Sequence, residues 1–249
     1  MNSIIEEIYN TDFVMDKFGN KYKLNSQIDK DEGKFIFNLI KEDSSIQKTL
    51  EVGCAYGLSS LFICSAISGR DNIKHVIIDP FQFKDWNGIG ILNLKKSGFD
   101  FFDLIVKPSE FALPELTKRE EGTYDMIFID GFHTFDHTLL DVFYANRLLR
   151  VGGYIIIDDC WFKSVSKSIS YLSKYPSYKI WSQVKNNSSQ KSRNRKIGEL
   201  ITKIIPEPIR CYIFPKFIYE KVRPAQYSSM VAFKKISEDK RRYDWFEDF

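Results

Sequence analysis

The chain has 249 residues, of which 43% are hydrophobic, 28% charged and 15% aromatic. These proportions suit a folded globular protein and exclude the aromatic-poor profile of a disordered chain. Lys and Arg number 36 against 33 Asp and Glu, a net charge of +3, so neither a nucleic-acid-coating protein nor a nucleic-acid partner is expected.

Cys54, Cys64, Cys160 and Cys211 form no CxxC pair, so reduced thiols are expected rather than a disulfide framework or a structural zinc site. The opening residues carry Glu6 and Glu7 where a secretory signal would want basic residues. No run approaches the ~18–20 apolar residues of a membrane-spanning helix. A cytoplasmic protein is the expectation.

In chain order, residues 1–48 read as an N-terminal helical cap. Phe35, Ile36, Leu39 and Ile40 recur at helical spacing, and either Asp29 or Asp31 supplies the N-cap. Across 49–184 the character changes to short apolar runs, TLEVG, KHVIID, DLIVK, YDMIFID and GGYIIID. Runs this short and apolar on both faces suit buried parallel strands. Leu58–Ile67 and His137–Leu149 have the length and spacing of crossover helices. The alternation predicts an α/β, doubly wound, mostly parallel sheet flanked by helices.

From Lys185 the pattern breaks into a basic stretch, NNSSQKSRNRK, followed by Ile, Tyr and Phe mixed with Pro206, Pro208 and Pro215. Residues 185–227 therefore read as a long basic insertion before the last strand, which lies with the tail in 228–249, all within one domain. Residues 185–223 suit a cover over a substrate, contact with a lipid-linked substrate or an anionic membrane surface, or another partner. A solvated loop with a packing helix is equally open, as is a homodimer.

The most informative segment is Thr49-Leu-Glu-Val-Gly-Cys-Ala-Tyr-Gly-Leu-Ser-Ser60. A strand ends near Glu51, Gly53 and Gly57 bracket a tight loop, and a helix begins near Leu58. Glycine lets the backbone turn sharply, and the helix start behind it offers unpaired N–H groups. The loop is neither GxGxxG nor a P-loop, which counts against a nicotinamide-dependent dehydrogenase. The second strand ends at Asp79, placed either to accept ribose hydroxyls or to cap a helix before Pro80.

Strand, acidic residue and Gly-x-x-x-Gly together resemble the first motif of class I S-adenosylmethionine-dependent methyltransferases. The resemblance implies a seven-stranded Rossmann-like fold with Glu51, Gly53, Ala55, Tyr56, Gly57 and Ser59 as cofactor contacts. Glu51 would accept from the cofactor's cationic amino acid end. Gln27–Phe35 is similar to the lead-in helix of the catechol-, caffeoyl-CoA- and macrocin-type O-methyltransferases. Lys107-Pro-Ser-Glu-Phe-Ala-Leu-Pro-Glu-Leu116 is similar to their adenine-side motif, which puts Ser109 and Glu110 by the base. Glu110 departs from the amide found there and can accept from the adenine amino group but not donate as an amide would.

Three carboxylates fall where the central strands should end, Asp130 after YDMIFI and Asp158-Asp159 after GGYIII. Charges in such a crevice are costly unless paired or bound to a cation, and oxygen ligands select Mg²⁺ or a substitute such as Mn²⁺ or Ca²⁺. The resemblance likewise implies a metal at Asp130, Asp158 and Asp159, with Asp130 also touching the cofactor. Capping of a helix, or bonds to loop amides, is the alternative for these acids. The position of His133 resembles that of the general-base Lys of catechol-type enzymes, and imidazole suits proton abstraction near neutral pH. A structural hydrogen bond is its plainer role. His137 with His133 and Asp130 leaves a zinc-type site open. Trp86, Phe132, Trp161 and Phe162 are candidate walls for a hydroxylated small-molecule acceptor.

The expected activity is therefore S-adenosylmethionine-dependent O-methyl transfer, with His133 and Asp130 as catalytic residues. A metal-independent version with His133 as base and a non-catalytic nucleoside-binding scaffold are the alternatives. The aromatic tetrad common in N-methylating nucleic-acid enzymes is absent from the sequence.

Overall fold

The structure, a computed structural model, describes residues 2–25, 27–185 and 228–249. The chain opens with helix α1 (Ser3–Thr11) and a hairpin of β1 (Phe13–Met15) and β2 (Lys21–Lys23). Then come α2 (Lys30–Glu42), β3 (Lys48–Val52), α3 (Leu58–Ile67), β4 (Lys74–Ile78), α4 (Ile89–Lys96) and β5 (Phe102–Ile105). After them follow α5 (Ser109–Glu120), β6 (Tyr124–Ile129), α6 (Phe135–Leu148), β7 (Leu149–Ile157), α7 (Lys163–Leu172), β8 (Tyr178–Lys185) and β9 (Ser228–Lys235).

Seven strands form one sheet in the order β5-β4-β3-β6-β7-β9-β8. The five from β5 to β7 run parallel, while β9 is antiparallel to β7 and β8 antiparallel to β9. The expected doubly wound, mostly parallel sheet is present. The chain starts at its centre with β3, moves outward to β5, then returns beside β3 as β6. That reversal opens a crevice at the carboxyl ends of β3 and β6. Leu50, Val76, Ile127 and Ile155 pack with α5, α6 and α7 on one face, while Ile77, Met126, Phe128 and Ile156 pack with α1 to α4 on the other.

The N-terminal cap is not purely helical. Strands of three residues each in the hairpin are too short to show a period of two, so no periodicity announces them. Of the two cap candidates for α2, Asp29 serves. Its side chain accepts from Asp31 N and Glu32 N, while Glu32 accepts from Asp29 N at 2.7 Å, closing a capping box. The expected insertion lies almost wholly outside the described residues. Its flanking strands, β8 and β9, pair Lys185 with Ser228 at the sheet end where Ile157 of β7 also finishes. Among the described residues no helix is long and apolar enough to cross a membrane.

One buried group of α6 sets a stability prediction. Asp141 is 1% exposed, and neither carboxylate oxygen meets a hydrogen-bond donor in good geometry. Burial pushes its pKa up to about 6, with the nearby Ser109 hydroxyl and His137 opposing the shift. Raised above its unfolded value, this carboxyl stabilises the fold only while protonated. That contribution is complete below pH ~4 and is lost as pH rises through about 6, a penalty of about 2–3 kcal/mol. The melting temperature of Asp141→Asn relative to the parent is therefore expected to climb between pH 4 and pH 8. A difference that stays flat across that range would show the carboxylate to be paired.

Candidate active site

The carboxyl ends of the parallel strands open into a cavity of about 620 Å³. Backbone bonds carry the sheet past its strand ends and fix the loops around it. Gly53 N donates to Ile78 O, Asp79 N to Ile105 O, Asp130 N to Val52 O and Asp158 N to Ile129 O, at 2.9–3.1 Å. The residues that follow β3, β4, β6 and β7 are thereby each tied to a neighbouring strand around the crevice.

On one side lies the glycine loop. Gly53 has φ +90°, and a Cβ there would sit 2.0 Å from the carbonyl oxygen of Asp130. Asp79 organises the same loop from behind. Its Oδ2 accepts from Cys54 N (3.2 Å), Ala55 N (2.9 Å) and the Gln82 amide (3.2 Å), and its Oδ1 accepts from Phe81 N (2.8 Å). Gln82 also donates to Ala55 O and accepts from Gly90 N, tying the start of α4 to the loop. Burial raises the pKa of Asp79, opposed by those donors. No side-chain oxygen caps α3, so its first-turn N–H groups have no side-chain acceptor. Ser109 and Glu110 border the cavity from the first turn of α5.

On the other side, Asp130, His133 and Asp159 converge. His133 Nε2 stands 3.3 Å from Asp130 Oδ1 and 3.1 Å from Asp159 Oδ2. Asp158 lies beside them, almost buried, its Oδ1 accepting from Asp159 N at 2.8 Å. Burial pushes the Asp130 carboxyl up to about 6, with His133 opposing. It drives Asp158 well above the ordinary carboxylate range, helped by Asp130, Glu32 and Asp159. The hydrogen bond to Asp130 raises the pKa of His133, making the imidazole a stronger base.

Among the described cavity-lining residues are Glu32, Asp79, Glu110, Asp130, Asp158 and Asp159, and no Lys or Arg. The field in the cavity is negative, which favours a cationic ligand. Ligand atoms of Asp130, His133 and Asp159 lie within 4.8 Å of one another, close enough to share a metal ion. The carboxylates of this group, with Asp158 adjoining, fit a hard divalent ion such as Mg²⁺ or Mn²⁺.

Of the residues expected from sequence, Gly53, Ala55, Tyr56, Ser59, Asp79, Ser109, Glu110, Asp130, His133, Asp158 and Asp159 all border the cavity. Two do not. Glu51 is fully buried beneath α3, where Ser60 Oγ donates to its Oε2 and His75 Nε2 lies 3.3 Å away. Its other oxygen, Oε1, is buried without a hydrogen-bond partner. Gly57 is a packing residue: a Cβ there would meet Gly90 at 2.9 Å. The convergent metal-type trio contains His133 in place of Asp158. His137 borders the cavity but bonds Thr134 Oγ1 at 2.6 Å and stands outside the trio, which removes the geometry for the two-histidine zinc option.

Trp86, Phe132, Trp161 and Phe162 line the cavity, Trp86 edge-on to Tyr56. Glu32 was missed as a site residue. Its spacing from Asp29 spells a capping box, but nothing in the sequence says that this helix start faces the carboxylates.

The fold is the Rossmann-like fold of class I methyltransferases. Residues 50–160 match the sequence model of a family described as a methyltransferase domain. Comparison with curated protein sequences finds no match. Among solved structures, the chain is similar to an O-methyltransferase from Bacillus cereus in complex with SAH, at 15% identity and TM-score 0.60. That match covers 76% of this chain and 87% of the other. It is also similar to TomG of Streptomyces achromogenes, an O-methyltransferase involved in tomaymycin synthesis and solved with SAM. Identity there is 15% and TM-score 0.58, over 75% of this chain and 84% of that one. A putative O-methyltransferase from Klebsiella pneumoniae aligns with 16% identity and TM-score 0.58, over 76% and 86% of the respective chains.

Proposed function

We propose that this protein uses S-adenosylmethionine to methylate a hydroxyl of a small molecule (a sugar, a glycan precursor or a secondary metabolite), assisted by a divalent cation, Mg²⁺ in the first instance. The observation that carries this reading is the meeting of His133 Nε2 with Asp130 and Asp159, across one cavity from the glycine loop. The cationic donor suits the negative cavity, with the glycine loop, Asp79, Ser109 and Glu110 as its seat. This arrangement leaves the acceptor to the carboxylate side, between Trp161, Phe162 and Phe132.

The chemistry required is an in-line displacement. An oxygen–carbon bond forms as the carbon–sulfur bond breaks, the electron pair leaves with sulfur, and the hydroxyl proton must be taken up. His133 takes that proton, with Asp130 holding the ring and stabilising the imidazolium. Asp130, Asp159 and the adjoining Asp158 would hold the cation, which when bound lowers the pKa of an acceptor hydroxyl. The walls align donor and acceptor, the main source of rate in such a displacement.

Calorimetry with S-adenosylhomocysteine and with NAD tests the donor, and binding of the first but not the second is expected. Transfer of radiolabel from S-adenosylmethionine to a panel of phenols, sugars and glycosides, with and without EDTA, tests the reaction. Absence of any heat with either sulfur nucleoside would end this reading. With an acceptor in hand, His133→Ala is expected to lower kcat by about 10²–10⁴-fold while leaving nucleoside affinity unchanged. An unaltered pH–rate profile in that variant would take His133 out of the base role.

A further inference from the structure

We propose that Trp161 is a positioning residue of this site: its indole N–H fixes the Asp159 carboxylate, while its ring, through Phe162, fixes the His133 imidazole. The consequence for metal binding rests on the reading above; the positioning itself does not. Trp161 is 52% exposed, so burial of its large ring does not account for its place. Its contacts do. The indole Nε1 donates to Asp159 Oδ1 at 2.7 Å, leaving Oδ2 to face His133 Nε2 at 3.1 Å. One oxygen of the carboxylate is held by the indole and the other faces the imidazole.

The rings form a ladder. Trp161 stacks on Phe162 with centroids 4.0 Å apart and planes at 25°, and Phe162 stacks on the imidazole of His133 at 5.1 Å and 11°. Ser164 Oγ donates to the backbone oxygen of His133, so the residue is held at its main chain as well as its ring. The turn carrying this assembly is itself fixed. Asp159 sits at φ +52°, a region that Asp tolerates better than most residues. Asp158 Oδ1 accepts its N–H, Phe162 N donates to its carbonyl, and Cys160 N donates to Ser229 O of β9. A side chain bonded to a ligand from outside commonly sets that ligand's orientation and basicity.

Trp161→Phe keeps a ring on the ladder and deletes only the N–H donor, whereas Trp161→Ala removes both. Two measurements on the full chain separate the roles. Calorimetry with Mn²⁺ as probe should show affinity about 10–100-fold weaker in Trp161→Phe, with S-adenosylhomocysteine affinity within twofold of the parent. Imidazole ¹⁵N spectra of the metal-free protein contain only three histidines, and His133→Ala identifies the His133 signal. That signal should hold its position in Trp161→Phe and shift in Trp161→Ala. Parent-like Mn²⁺ affinity in Trp161→Phe would overturn the indole–carboxylate role, and an unmoved His133 signal in Trp161→Ala would overturn the ladder. If the parent takes up no Mn²⁺, the metal part of the proposed function falls. The spectra then decide alone, and an unmoved signal in Trp161→Ala overturns the positioning role outright.

Discussion

Gly53→Ala is expected to lower affinity for S-adenosylhomocysteine by ~100-fold or more, about 2.8 kcal/mol of binding free energy, and to disturb the carboxylate side of the cavity as well. Two physical effects combine. A side chain at φ +90° is strained wherever it stands, and here its Cβ would also fall 2.0 Å from the Asp130 carbonyl oxygen. That oxygen is backbone and cannot swing aside, so the loop, the end of β6, or both must move. Gly69 provides the control. It has φ +83° with nothing within 4 Å of a built Cβ, so Gly69→Ala carries the strain without the collision. It should lower the melting temperature slightly and leave nucleoside affinity alone. Equal behaviour of the two variants in calorimetry and thermal unfolding would show that the contact between Gly53 and Asp130 has no bearing on the donor seat.

The second large effect is expected at Glu51. Its fully buried carboxylate belongs to a chain of polar groups under the glycine loop. Cys54 Sγ lies 3.4 Å from Ser60 Oγ, Ser60 donates to Glu51, Glu51 meets His75, and His75 Nδ1 lies 2.9 Å from Thr49 Oγ1. Removing one partner of a buried pair leaves the other without compensation, so Glu51→Ala should cost about 3–5 kcal/mol of stability in urea unfolding. Glu51→Gln keeps an acceptor for Ser60 and should cost much less. Because Glu51 lies beneath the loop and not in the cavity, Glu51→Gln should leave nucleoside affinity within a few-fold of the parent. A collapse of binding in a well-folded Glu51→Gln would instead restore Glu51 as a direct ligand.

Glu51 also shows where sequence reading reaches its limit. Its position in a motif was legible, but its direction follows from strand alternation. Leu50 and Val52 face the helices α5 to α7, so Glu51 between them faces α2 and α3, aligned with Ile77 and Phe128 on its neighbours. A carboxylate on that face is covered by α3 before it reaches the cavity. The parallel strands were legible for the opposite reason. The buried strands β3, β4, β6 and β7 are mostly apolar runs followed by Gly53, Asp79, Asp130 and Asp158, whereas β5 is partly exposed and runs on into Val106 and Lys107. Asp130, Asp158 and Asp159 could be placed together because strand ends in a doubly wound sheet converge by topology alone. The division of labour among them could not. Which carboxylate oxygen turns to His133 depends on the φ +52° turn at Asp159 and on the bond from Trp161 two residues on. Neither leaves a mark in composition or spacing. Glu32 escaped notice because its cavity role arises from how α2 lies across the sheet, a relation between segments distant in sequence.

The Asp79–Gln82 cross-link has a consequence for how this protein can change over time. All of its bonds to the glycine loop and to Gly90 come from two nearly buried side chains, so the donor side tolerates little variation. Phe81 and Phe132, at the cavity's rim, are 36% and 60% exposed, and the N–H that Phe81 gives to Asp79 belongs to the main chain and survives any replacement but proline. The two halves of the cavity are thus unequally free to drift. New acceptors can be explored by exchanging rim residues while the donor framework stays intact, which makes Phe132, on the carboxylate side, the natural position for a library aimed at altered selectivity.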